Sequence, residues 1–192
     1  MTVKISDVVG DEYRPCRYGR VFSREQVAGV DRLRIGFDDA ADGCILALSS
    51  ELAGPFQLLY VLHTTRTGAA VGRYESPELG FADVDAFLRA FGRFVAEDGR
   101  HDLWIVSHDE PATIVLDRHN IIYAYGPLEL FERKLLELGA VRGEAPDTNR
   151  VHAHHYHAEW DEAERAVVGY GEWKIHPLKP SDIQFEGEGP EA

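Results

Sequence analysis

Four histidines fall within six residues, His152, His154, His155 and His157, in the run Val-His-Ala-His-His-Tyr-His that begins at Val151. Neutral imidazole is the commonest protein ligand for zinc and similar divalent ions, so this density points to metal chemistry, with Asp161 close behind as a carboxylate ligand. The alternation of the run suits a strand better than a helix. Side chains of a strand point alternately to opposite faces, which pairs His152 with His154 on one face and His155 with His157 on the other. One ion therefore takes two of the four and draws its remaining ligands from elsewhere in the chain, the candidates being Asp161, His176, His119 and His101. The competing reading is structural: partly solvated histidines on an edge strand, paired with Glu159 and Asp161 and responsive to pH.

Other chemistries leave no comparable trace. There is no His-Glu-x-x-His or Cys-x-x-Cys element, so the usual zinc signatures are missing. No lysine occurs between Lys4 and Lys134, and no phosphate loop precedes the later ones. Gly169-Tyr170-Gly171 lacks the third glycine of a dinucleotide fingerprint, and no Gly-x-Ser-x-Gly elbow is present. The neighbours His101-Asp102 and His108-Asp109 resemble dyads, but adjacent strand residues face opposite ways, so neither aspartate orients its own neighbour; only cross-strand pairing would bring such groups together. Cys16 and Cys44 give no disulfide framework in a chain of 192 residues, and both are expected to be free thiols.

The elements that must position these residues read as an α+β fold, a mostly antiparallel sheet with two main amphipathic helices packed on it. Its centre is the stretch from Asp102 to Tyr125. Three short apolar runs, Leu103 to Val106, Thr113 to Leu116 and Ile121 to Tyr125, are separated by turn-forming residues and predict a three-stranded meander. Phe56 to Thr64 adds a strand apolar on both faces. Leu33 to Phe37 and Ile45 to Leu48 read as two further strands around a polar loop from Asp38 to Gly43. Ser76-Pro77 resembles a helix start, and Val84, Phe87, Leu88, Phe91, Phe94 and Val95 mark one face of a long helix. Leu128, Phe131, Leu135 and Leu138 mark a second, ended by Gly139. Asp161 and Glu164 have the form of a cap for a short third helix, and residues 171 to 179 add an edge strand. The domain reading is a weakly patterned segment over residues 1–30, expected to be a loop draped over the sheet; a single domain over 31–179; and a disordered acidic tail over 180–192.

Charge bounds the partners. The net charge is −13; residues 1 to 35 carry seven basic and five acidic side chains, a local +2, which leaves −15 on the remainder. So acidic a surface repels phosphate backbones, argues against nucleic acid and favours a basic protein partner. No apolar run approaches the roughly 20 residues that span a bilayer, and the first residues lack a secretory signal, so the expected location is cytoplasmic with no membrane partner. Two functions follow. One is a non-enzymatic, inhibitor- or immunity-like domain that binds a basic protein and needs no cofactor. The other is a metal-dependent hydrolase that uses zinc or a similar ion at the cluster 152–157 to activate water.

Overall fold

The computed structural model describes residues 3–38, 40–144 and 150–182. Strands β1 (Ile5–Val9) and β2 (Glu12–Pro15) pair antiparallel, and β3 (Arg20–Val27) and β4 (Val30–Phe37) form a hairpin. The two-residue turn of that hairpin holds Ala28 at φ 51° and Gly29 at φ 83°, the left-handed pair whose twist suits a tight connection. The N-terminal stretch is thus built of strands where the sequence suggests a loop. Its signal is weak because β2 is exposed throughout and β3 buries only Phe22 fully, so no apolar alternation marks them.

Residues 41–49 form helix α1 (Ala41–Ser49), where a loop and a strand at Ile45–Leu48 were expected. The apolar run is one face of a helix: Ala41, Cys44, Ile45, Leu48 and Leu52 are buried at the three- and four-residue spacing that a short window hides.

From there the elements follow the sequence pattern except at Gly72–Glu75, a strand with Gly72 and Tyr74 buried, where the glycine-rich, polar stretch from Thr67 to Glu78 reads as an exposed loop. They are β5 (Phe56–Leu62), β6 (Gly72–Glu75), α2 (Phe81–Glu97), β7 (His101–Ser107), β8 (Ala112–Leu116), β9 (Ile121–Tyr125), α3 (Leu128–Glu137), β10 (Val141–Arg142), β11 (His152–His154), α4 (Asp161–Val168) and β12 (Lys174–His176). Helix α2 begins later than Ser76-Pro77 suggests. The Ser76 hydroxyl accepts the Leu58 N–H at 2.9 Å and belongs to the sheet, while Asp83 accepts the Gly80 N–H at 3.0 Å and closes the first turn of the helix. Residues 180–182 make a single 3-10 turn, and the rest of the acidic tail lies outside the described residues.

Nine strands form one sheet in the order β10-β3-β4-β9-β8-β7-β5-β6-β12, antiparallel except where β10 joins β3. The meander β7-β8-β9 is its middle. Helices α1, α2 and α3 cover one face, burying Leu103, Ile105, Ile114, Leu116, Ile122 and Ala124 beneath them. The other face carries the alternate residues, among them Asp102, Trp104, Val115 and Tyr123. A separate small sheet, β11-β1-β2, sits at the end of α2. No helix among the described residues is long and apolar enough to cross a membrane.

Two packing contacts generate tests. The Phe87 ring is fully buried against Phe91, Tyr170 and Trp173 at centroid distances of 5.2, 5.4 and 6.3 Å, and so ties α2 to the segment after α4. Phe87→Ala should cost about 3–5 kcal/mol in urea unfolding, with the midpoint falling at unchanged slope; a loss below about 1 kcal/mol would contradict this packing. Lys4 fastens the small sheet by donating from Nζ to the Val95 carbonyl at 2.8 Å. Burial lowers its ammonium to about 8, although Asp117, Asp102 and Asp98 pull the other way. Because the folded value lies below the unfolded 10.5, the unfolded chain binds more protons between those pH values, and this group's contribution to stability rises across that window. Relative to Lys4→Met, the unaltered chain should gain roughly 3 kcal/mol as pH rises through the window; a constant difference would show that Lys4 is not sealed.

Candidate metal centre

The turn between β8 and β9 is organised by one carboxylate. Asp117 Oδ1 accepts the backbone N–H groups of His119 at 3.0 Å and Ile121 at 2.8 Å, and Asn120 completes the reversal at φ 61°. The other oxygen, Oδ2, lies 2.9 Å from His119 Nδ1. Burial raises the Asp117 carboxyl, but its hydrogen bond to His119, the charge that ring carries when protonated and the Ile121 N–H outweigh this and hold it below its usual value. An ionised carboxylate on Nδ1 fixes the tautomer and turns Nε2 outward as a free lone pair.

The His119 ring lies against β11. That strand pairs with β1 so that His154 lies opposite Ile5 and His152 opposite Asp7, and its alternation sends both histidines to one face. His152 Nδ1 lies 2.8 Å from the Arg150 carbonyl, which as the acceptor leaves Nε2 unprotonated. Burial, together with the charges of His119, Arg118, His152 and Lys4, lowers His154 to about 3, so it is neutral across the physiological range. Its buried Nδ1 has no hydrogen-bond partner among the described residues.

The three rings form a nearly equilateral triangle. Centroid separations are 5.1 Å for His119–His152, 5.0 Å for His119–His154 and 5.1 Å for His152–His154. Three imidazoles on one tetrahedral ion, with metal–nitrogen bonds of about 2.0–2.1 Å, would set their centroids roughly 5.2 Å apart. One ring nitrogen from each lies within 4.8 Å of the others, so modest ring rotation brings all three to a common ion. His119 is buried and the other two are half-buried, so the triangle is not sealed in the interior.

The remaining histidines have other partners. His155 Nε2 contacts the Ser6 hydroxyl at 2.8 Å, and His157 Nε2 contacts the Val3 carbonyl at 2.9 Å, both on the opposite face of the His152–His154 strand. Asp161 is no neighbour of the triangle. It pairs with Arg66 at 3.0 Å and Arg100 at 3.2 Å, because α4 begins there and turns its first-turn carboxylates toward those guanidinium groups. His101 is buried against Tyr60, with its Nδ1 3.1 Å from the hydroxyl, and His176 lies on the exposed edge strand near Glu75. Cys16 and Cys44 are both free thiols.

Sequence reasoning did not find two of the groups. Asp117 could have been found from its spacing, since an aspartate two residues before a histidine in a turn is placed to bond both the histidine's N–H and its ring. The pairing of His63 Nε2 with Asp102 Oδ2 at 2.8 Å had no local signal, because it depends on the register of β5 against β7. It also explains the His101-Asp102 neighbours: the histidine faces the helices and the aspartate faces the open side.

The position of β11 is set by the loop from Asp98 to Arg100. Gly99 donates its N–H to the His155 carbonyl at 3.0 Å, and His157 donates its N–H to Asp98 at 2.8 Å. A Cβ on Gly99 would lie 2.9 Å from the Lys4 carbonyl and 3.1 Å from the His154 Cβ, so only glycine admits the strand this closely.

The chain matches no family model, no curated protein and no solved structure. If Asp117 sets the tautomer of His119, Asp117→Asn should keep the turn, since the amide oxygen still accepts the two backbone N–H groups. The amide nitrogen would then donate to Nδ1 and drive the proton onto Nε2. Zinc affinity, measured by competition with a chromophoric chelator, should fall about 10–100-fold; an unchanged affinity would exclude this role.

Proposed function

We propose that the chain is a zinc-dependent hydrolase, its ion held by His119, His152 and His154 and its fourth position left for water and substrate. The single observation that carries the reading is the triangle of imidazoles at 5.0–5.1 Å, assembled from two separate sheets and backed by Asp117. Three neutral nitrogen ligands and an open position are the arrangement in which zinc lowers the pKa of bound water toward 7 and supplies hydroxide to an electrophilic centre. All-imidazole, near-tetrahedral ligation favours zinc over magnesium or calcium, which prefer oxygen ligands.

An acidic domain that binds a basic protein remains compatible with the net charge of −13, but that reading rests on charge alone and uses none of the groups assembled here. The hydrolase reading accounts for the convergence of three imidazoles and for two tautomer-fixing hydrogen bonds.

The experiment is metal analysis of protein purified without a histidine tag, alongside assays on a panel of 4-nitrophenyl esters and phosphates. One zinc per chain is expected. Replacing His152 and His154 together with Ala should abolish retention, and His119→Ala should do the same, while replacing His155 and His157 should leave it intact. Hydrolysis should vanish with chelator and return with zinc. Equal loss of metal from both histidine pairs, or activity unaffected by chelation, would contradict the proposal.

A further inference from the structure

The open face of the sheet carries three rows of side chains leading toward the centre. Register places Asp102 and Asp117 in the row nearest His119, then Trp104, Val115 and Tyr123, then Tyr125 beside Arg32. Alternate residues of a strand are about 7 Å apart, so the rows are spaced at that interval. A cavity of about 340 Å³ runs over all three, with His119 in its wall and the 3-10 turn at Ser181 and Asp182 along one side. Its size suits a small organic molecule.

Each row differs in chemistry. At the far end, Arg32 lies in the cavity wall and shares one carboxylate, Glu25, with Arg34 of the middle row, at 2.6 and 3.9 Å, so these three groups together carry more positive than negative charge. Arg32 is held there, stacked 4.1 Å over the Tyr123 ring and donating to the Tyr125 hydroxyl at 2.7 Å. The middle row is an aromatic and apolar floor. Two buried donors in that row, Trp104 Nε1–H and Arg34 Nε–H, have no acceptor among the described residues. The guanidinium in the wall at the far end is the group that would recognise an anionic oxygen acceptor on a ligand. At the near end, the carboxylates are already engaged: Asp117 with His119, and Asp102 with His63 and the Arg118 N–H at 2.7 Å.

From this order we infer that the cavity is the substrate pocket of the centre and takes a planar aromatic molecule carrying a carboxylate, its ring over Trp104, its anionic end toward Arg32, and its opposite end toward the ion. The inference rests on the zinc reading proposed above. It adds the class of substrate and the direction in which it lies.

The test is calorimetry on the zinc-loaded full chain with two probes, 4-carboxybenzenesulfonamide and benzenesulfonamide, which share an aryl ring and a zinc-binding group but differ in the carboxylate. The carboxylated probe should bind at least tenfold more tightly, Arg32→Gln should remove that advantage, and Trp104→Leu should weaken both probes. The two-probe comparison on the unaltered chain needs no variant, so misfolding of either variant leaves it decisive. Zinc retention with equal affinity for the two probes, or with binding of neither, would overturn the pocket assignment while leaving the metal reading in place. A chain that retains no zinc would overturn both.

Discussion

A guanidinium sealed from water must have its charge neutralised and its donors met, and Arg100 imposes that requirement on everything around it. Its side chain is fully buried. Asp98 takes Nε at 2.7 Å and Nη2 at 2.9 Å, Nη2 also reaches the His157 carbonyl at 2.9 Å, and Nη1 is met by Glu164 and Asp161. These partners come from the end of α2, the exit of the histidine strand and the first turn of α4. Without Arg100 the buried carboxylates of Asp98 and Glu164 would lose their shared cation, so the three segments are held in one arrangement around it. Glu164 extends the network to the hydroxyls of Thr65 and Thr67, which places the loop after β5 as well.

That network decides where two histidines of a three-residue strand can be. A strand as short as β11 has little pairing energy of its own, and it lies where β1, the Gly99 amide and the Asp98 carboxylate hold it. The third histidine arrives by an independent route, on a turn of the large sheet shaped by Asp117. The centre is thus a junction between the two sheets. A ligand shared by these separately anchored groups would stabilise both attachments at once.

Much of this was legible in the residues. The meander from residue 103 to 125, both long helices and the split of the four histidines between two faces follow from period-two and period-3.6 patterns, which depend only on local geometry. Elements failed where local pattern and burial part company. Ile45 to Leu48 is short enough to pass for a strand until Ala41 and Leu52 are counted with it, and β2 and β3 are too exposed to show alternation. For the centre, the pair His152 and His154 was visible from alternation. His119 stood among several candidates, and its selection required knowing that the β8–β9 turn lies against β11. His63 and Asp102 meet only through strand register, which no nearby residue announces.

Which nitrogens would face an ion decides the chemistry of the centre. Long-range proton–nitrogen-15 spectra of the histidine rings during zinc titration observe them directly. The geometry predicts that His119 and His152 coordinate through Nε2 with Nδ1 protonated, held by Asp117 and the Arg150 carbonyl, that one nitrogen of His154 shifts with them at one zinc per chain, and that His155 and His157 do not change. Zinc-induced shifts at His155 or His157, or a His119 ring unaffected by the metal, would contradict it.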